Sequence, residues 1–353
     1  MADKVKFSDF KIIPDFNSVR KEDISDEIYF SPAYSGYISN SRLKWIDPKD
    51  NGSPALFKNP PKLKTQALSI GSTIHECLLQ PEEFELAPKI GKPGSKLGAV
   101  LDAIPGFLKD EIGLDDAIKQ AALKVDYYSA TIDKKIETIK EAYNKYQLAL
   151  TELNSTPTTK ERVIVPDSDW DTVNGCIQSC LNNKEITDLL HPTNPFGDPC
   201  AESYCEDAFF MDYIVIYQGK QCATLRFKMK ADNWTIDFDN KIVTLNDLKT
   251  TGHSVNVFMK EGMSFEHFSY ARQMAVYSQT LWYFCMKEYG VSKKQGWKLK
   301  ANMLVVETIP NYWSRPYYVT DKQLQEGRKM LNELLCRVAY CEIFGWDKEI
   351  EFE

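Results

Sequence analysis

Between Phe209 and Lys249 apolar and polar positions alternate with a period of two, the pattern of half-buried strands. Phe209 to Tyr217 is rich in aromatic and β-branched residues. Gln218-Gly219-Lys220 supplies a glycine for a tight reversal, and Gln221 to Lys230 alternates again, so the stretch predicts a β-hairpin with Asp232 at the end of its second strand. The polar turn Asp237-Phe238-Asp239-Asn240 leads into a third strand, Lys241 to Lys249. There Ile242, Thr244, Asn246 and Leu248 face one way, and Val243, Leu245, Asp247 and Lys249 the other. Asp247 and Lys249 therefore share a face.

Elsewhere the period is helical. Ala67 to Gln80 reads as a helix stopped by Pro81, with Leu68, Ile74 and Leu78 in its buried stripe and His75 on the flank. Phe265 to Glu288 turns Ala271, Met274, Ala275, Ser278, Leu281, Trp282 and Cys285 inward and sets Tyr270, Gln273 and Tyr277 on an adjoining face. Val163 to Leu190 carries Trp170, Val173, Ile177, Cys180 and Leu181 at core spacing, and Thr320 to Phe344 forms a C-terminal helix. Ser39 caps a short helix to Trp45 that places Arg42 and Lys44 away from Leu43 and Ile46. Asn302 to Thr308 reads as a further buried strand. Residues 1–35 show no sustained period and read as an N-terminal arm with one short strand at most. Residues 89–157 differ in character: a basic loop, Gly91-Lys92-Pro93-Gly94-Ser95-Lys96, precedes helix-forming sequence from Leu114 to Leu153, which predicts an inserted helical hairpin. The pattern as a whole predicts one mixed α/β domain over 1–353, a central mixed sheet flanked by helices.

Two carboxylates on adjacent strands, Asp232 and Asp247, can hold a hard divalent cation, and a lysine beside them can lower the pKa of an attacking water or neutralise a phosphorane-like transition state. Phosphodiester hydrolysis requires that combination. Asp-x-Lys alone is a weak signal, since exposed strand ends often carry Asp and Lys as solvated edge charges. The weight lies in the order of hairpin, acid, turn, strand, Asp-x-Lys and helix. His75-Glu76 invites comparison with the zinc-protease helix, but Leu79 stands where a second histidine is needed, so that reading fails on ligand count.

Asp232, then Asp247-Leu248-Lys249-Thr250-Thr251, then Tyr270-Ala271-Arg272-Gln273-Met274-Ala275-Val276-Tyr277 resembles the PD-(D/E)xK nuclease core, in particular the exonuclease VIII (RecE) type of phage and prophage recombination exonucleases. The resemblance also takes in Ile38-Ser39-Asn40-Ser41-Arg42-Leu43-Lys44 and the block from Gly71 to Phe84, and runs from about Ile38 to Pro310 apart from the insertion. Ala231 precedes the first acid where the family has proline, a residue that shapes backbone and supplies no ligand. The resemblance implies a restriction-endonuclease-like topology and Mg²⁺, with Mn²⁺ tolerated, bound by Asp232, Asp247 and His75. Glu202 is the expected further carboxylate, with Glu206 and Asp207 as close rivals. Lys249 would assist the water and Gln273 would position the lysine, the water or a phosphate. Arg42, Lys44, Tyr270 and Tyr277 are expected to face DNA, Arg42 as a fork for a terminal phosphate, with Lys62, Lys64 and the Lys92 to Lys96 loop as alternatives. The implied activity is 5′ to 3′ exonucleolytic digestion of linear double-stranded DNA ends in phage-type recombination, by a ring-shaped homo-oligomer working with a single-strand annealing protein. A non-catalytic DNA-binding or assembly protein on the same fold and a structure-specific endonuclease are the alternatives.

The chain has 353 residues, 43% of them hydrophobic, enough for a substantial core. No apolar run is long enough to cross a bilayer, and Met-Ala-Asp-Lys-Val-Lys offers no signal-peptide stretch, so a cytoplasmic location is expected. Nine cysteines without a Cys-x-x-Cys pair point to reduced, packed thiols, and Cys336 and Cys341 lack the companions an iron–sulfur site needs. A net charge of -7 argues against indiscriminate coating of DNA, yet suits an enzyme whose cations line one channel.

Overall fold

The computed structural model describes residues 5–61, 65–88, 96–108, 112–128, 131–155, 160–347, 350 and 352. In chain order its longer elements are β1 (Phe10–Glu22), α1 (Gln66–Leu79), β2 (Phe84–Pro88), α2 (Lys96–Leu108), α3 (Leu114–Lys124), α4 (Ile136–Ser155), β3 (Glu161–Val165), α5 (Asp167–Asn182), α6 (Lys184–Leu190), β4 (Glu202–Tyr217), β5 (Lys220–Asp237), β6 (Ile242–Thr251), α7 (Tyr270–Glu288), β7 (Lys298–Glu307), β8 (Ser314–Tyr318) and α8 (Asp321–Phe344). The chain divides into two units, Met1–Leu79 with Gly175–Glu353, and Gln80–Asn174.

The first unit holds a six-stranded mixed sheet in the order β1-β4-β5-β6-β7-β8. Its hairpin turns on Gln218 and Gly219, both at positive φ (48° and 77°), a pair of left-handed residues whose twist suits antiparallel strands. β5 pairs antiparallel with β4 along most of its length, but with β6 only from Asn233 to Asp237. β6 then pairs parallel with β7, and α7 makes the crossover. Helix α1, the meander β4 to β6, crossover helix α7 and parallel strand β7 form the mixed α/β arrangement, a central mixed sheet with flanking helices, expected from the sequence.

Several expectations change in detail. β5 runs 18 residues to Asp237, so Asp232 lies inside a strand and not at its end. Residues 1–35 contain a 13-residue edge strand, β1, paired with β4. A register shift between Asp15 and Arg20 breaks its period-two pattern, which is why the alternation is invisible in the sequence. Leu68 and Leu181, expected in the core, are 52% and 51% exposed. Ser269, with φ 55°, separates the turn Ser264–His267 from α7 where one continuous helix is expected.

The core gathers Phe209, Phe227, Leu245 and Met303 of the sheet with Met274 and Leu281 of α7 and Leu331 and Leu335 of α8. α8 approaches α7 at Gly327, where an added Cβ would lie 1.9 Å from the Ala271 carbonyl oxygen, so only glycine fits. Side-chain amides also cross the sheet. Asn302 donates to Asn246 (2.8 Å) and Asn246 to Asn233 (2.7 Å), each pair facing directly across neighbouring strands. The ladder continues to the C-terminal carbonyls of α6 through Asn246 to Leu189 (2.8 Å) and Asn233 to Leu190 (3.4 Å).

The second unit pairs β2 in parallel with β3 and packs Leu101 and Ile104 of α2 against Ile118 and Ala121 of α3 and Ile139 of α4. It therefore includes a two-stranded sheet beyond the helical hairpin expected at 89–157. All nine cysteines are free thiols, six of them buried.

Candidate active site

The site begins where β5 and β6 part. Their ladder stops at Asn233 and Asn246, which leaves the Leu248 peptide without a strand partner on the β5 side. Side chains take its place: the Leu248 N–H donates to Asp232 Oδ2 (2.7 Å), and its carbonyl accepts from His75 Nε2 (3.0 Å) and Lys249 Nζ (3.0 Å). A carbonyl only accepts, so His75 carries its proton on Nε2 and turns Nδ1 toward Asp232 Oδ2 (3.6 Å) and Glu206 Oε1 (3.9 Å). Ile74, Cys77 and Leu78 are the buried residues that anchor α1 and so hold His75 beside the strand.

Glu206 stands opposite Asp232 in a step the β4–β5 ladder skips, and it adopts φ 57°, a conformation uncommon for a non-glycine residue. Below it Phe209, Met211 and Tyr213 point into the core. Above it the alternation reverses, so that Tyr204 stacks on Trp234 at 4.3 Å. Glu202 is accordingly not part of the site: it is exposed and accepts from the Tyr204 hydroxyl. Asp207 has the opposite parity and is bound by Lys21 (3.1 Å) and Trp234 Nε1 (2.8 Å). Of the three rival acids only Glu206 joins His75 and Asp232, with one potential ligand atom from each within 4.8 Å of the others.

Asp247 lies deeper, 1% exposed, and one step away from that triad. Its Oδ2 is 2.6 Å from Lys249 Nζ, an ion pair without hydrogen-bond alignment, while Oδ1 accepts from Gln273 Nε2 (2.7 Å). Lys249 Nζ is also 3.7 Å from Asp232 Oδ2 and 5.7 Å from the centre of the Tyr270 ring. Burial lifts the Asp247 carboxyl to about 6 against the pull of Lys249. Burial works to lower the Lys249 pKa, but the Asp247 and Asp232 charges raise it well above the usual lysine range. Burial disfavours charged His75, yet Asp232 and Glu206 outweigh it and raise the imidazole pKa. Burial opposes ionisation of Glu206, yet the neighbouring His75 (3.9 Å) and Lys230 (2.7 Å) lower its pKa. Tyr277 stands close enough for burial and the nearby charges of Asp247, Asp232 and Glu206 to raise its hydroxyl well above the usual value, and Tyr270 is pushed up to about 12, chiefly by burial.

The donor set fits a divalent cation. His75 presents a free Nδ1 while its other nitrogen donates to a backbone carbonyl, the usual outer partner of a metal-bound histidine. A cation holding ligands at about 2.0–2.2 Å spans donors up to about 4.4 Å apart, so a small closure of His75, Glu206 and Asp232 would seat one. The charge-rich donor set otherwise leaves two carboxylates and a ring nitrogen facing one another at distances too long for direct hydrogen bonds.

The remaining sequence candidates divide. Gln273 and Tyr270 reach the Asp247–Lys249 pair. Arg42 does not offer a free fork: Nη1 donates to the Ser35 and Tyr37 carbonyls (2.5 and 3.2 Å), Nε donates to Phe57 O (3.1 Å), and the guanidinium lies 4.6 Å over the Phe57 ring. Lys44 covers the Trp45 ring at 4.5 Å. Lys62, Lys64 and the loop at 91–95 lie outside the described residues.

No family model matches this chain, and no curated protein matches it in sequence. Among solved structures, a candidate exonuclease from Eubacterium rectale is similar at 13% identity and a TM-score of 0.44, covering 91% of this chain and 87% of that one. No described helix is long and apolar enough to cross a membrane.

Proposed function

We propose that this protein is a divalent-cation-dependent nuclease that hydrolyses phosphodiester bonds in DNA. The observation that carries the reading is the convergence of His75, Glu206 and Asp232 beside the buried Lys249–Asp247 pair. A bound divalent cation supplies Lewis acidity and lowers the pKa of water. The chain supplies the rest. His75, Glu206 and Asp232 hold the cation. Lys249, between Asp232 and Asp247, places a permanent positive charge where a pentavalent phosphorus would build negative charge, and it favours hydroxide over water nearby. Gln273 and Asp247 act through Lys249 by fixing its ammonium.

The sequence resemblance carries the reading further: Mg²⁺ with Mn²⁺ tolerated, 5′ to 3′ digestion of linear duplex ends, a ring-shaped oligomer, and a single-strand annealing partner in phage-type recombination. Incubation of end-labelled linear duplex and covalently closed circles with Mg²⁺, Mn²⁺ or EDTA tests it. Mononucleotides from linear DNA alone, abolished by EDTA, are expected. Cleavage of circles would identify an endonuclease, and binding without hydrolysis in either metal would leave a non-catalytic DNA-binding or assembly protein.

A further inference from the structure

β5 carries Arg226, Lys228 and Lys230 at alternate positions leading to Asp232, pointing away from the core that Phe227, Met229 and Ala231 enter. The last two lysines grip one turn of helix, Asp26–Tyr29, at both ends. Lys230 pairs with Asp26 and with Glu206, so the turn is one ion pair removed from the metal-binding triad. Lys228 is 8% exposed and donates to the Tyr29 carbonyl (2.6 Å), its ammonium lying 4.2, 5.7 and 5.8 Å from the ring centres of Tyr29, Phe30 and Tyr34. Among the described residues no acid pairs with that ammonium, and burial together with the neighbouring Arg42 charge lowers its pKa to about 8. A buried cation without an acid is costly to keep. What it secures here is the position of the residue after the turn.

That residue is Phe30, 71% exposed, held edge-on against Tyr29 at 4.9 Å. Two anchors on the strand that carries Asp232 thus fix a bare aromatic face at the rim of the site. The Lys228 ammonium lies over this ring, 5.7 Å from its centre, and Arg226, exposed and two positions earlier on the same face of β5, lies over Tyr37 at 4.9 Å, so that Arg226 is the charge open to a phosphate. An exposed ring among cations is how proteins hold a nucleic-acid strand, since phosphates meet the charges and bases stack on the ring. We propose that Phe30 is a stacking platform for a base of the strand whose backbone enters the metal-binding triad, so that the site takes strands with an unstacked base beside the bond to be cut. The inference rests on the nuclease reading and names the form in which the substrate is held.

The test compares the full-length wild type with Phe30→Ala and Phe30→Trp. Binding of a fluorescent single-stranded oligodeoxynucleotide and of an abasic oligomer of equal length is measured by anisotropy in EDTA, and hydrolysis of end-labelled DNA is measured with Mn²⁺. Phe30→Ala is expected to weaken binding of the base-bearing strand about tenfold, the order of one lost base stack, and to leave the abasic strand unchanged. Phe30→Trp is expected to keep the wild-type preference. Equal affinities for wild type and Phe30→Ala, or equal weakening on both strands, overturn the platform while Mn²⁺-dependent hydrolysis keeps the nuclease reading intact. Absence of hydrolysis by the wild type overturns the nuclease reading, and the platform with it.

Discussion

At the residue scale the candidate site separates charge that binds from charge that is fixed in place. Asp247→Asn and Lys249→Ala are each expected to lower turnover by about 10²-fold or more while leaving the fold and DNA binding in place, because a preorganised charge of this kind acts at the transition state. Steady-state digestion with circular dichroism as a control decides it, and near wild-type turnover in either variant removes the central claim. His75→Ala and Glu206→Gln are expected to weaken Mn²⁺ binding by about tenfold or more, and Glu202→Gln to leave it unchanged, as read by calorimetric titration. Protons compete for these ligands and remove negative charge beside them. His75 has a raised pKa, and Asp247 beside the triad is protonated below about 6, so cation affinity should fall as pH drops through that range and recover as it rises toward 8. A flat affinity from pH 5.5 to 7.5 would contradict that linkage. Strand parity put Asp247 and Lys249 on one face in the sequence, whereas helical spacing placed His75 only on the flank of a buried stripe and Gln273 only on a face adjoining the core, and it was the resemblance that made His75 a ligand candidate. Glu202, expected from its place at the start of the hairpin, shares its parity with Glu206, and only the positive φ at Glu206, which reverses the faces, tells them apart.

At the scale of elements, a few close approaches set the site. α7 carries Gln273, and α8 can press on α7 only because position 327 lacks a Cβ. Gly327→Ala should cost about 1–3 kcal/mol, measured by denaturant midpoint, and lower turnover by displacing Gln273. An unchanged midpoint would show that the helices separate freely. Arg42 likewise belongs to the scaffold. Arg42→Ala should lower stability by about 1–3 kcal/mol, since three carbonyls lose a charged donor, and should leave the ratio of rates on 5′-phosphate and 5′-hydroxyl ends unaltered. A changed ratio with unchanged stability would return Arg42 to the substrate. Its position on a short helix was legible in the sequence. Its partners were not, because Ser35, Tyr37 and Phe57 come to it through turns whose path no periodicity encodes. β1 was hidden for a related reason, its bulge having erased the alternation that marks a strand.

At the scale of the whole molecule, the net charge of -7 coexists with a proposed substrate edge that carries exposed Arg226 and exposed Phe30, so attraction for a polyanion should be local and not general. A mixed sheet flanked by helices followed from the spacing of apolar runs, while the specific order of its strands was implied only by the resemblance. The extent of Gln80–Asn174 followed from neither, because β2 and β3 pair residues 77 positions apart, from Phe84 with Glu161 to Pro88 with Val165, a contact no local pattern announces. The amide ladder of Asn233, Asn246 and Asn302 has a consequence for how the molecule fails. A slip of one residue between β5 and β6 would keep every strand and send Asp247 and Lys249 to the wrong face, giving a folded protein without a site. The ladder works as a parity check, since a chain one step out of phase orphans several buried amides at once. An Asn246→Asp substitution would corrupt the check by placing an acid among them, so that variant should lose activity with strand content by circular dichroism unchanged, and retained activity would show that the ladder does not set the phase of the strands.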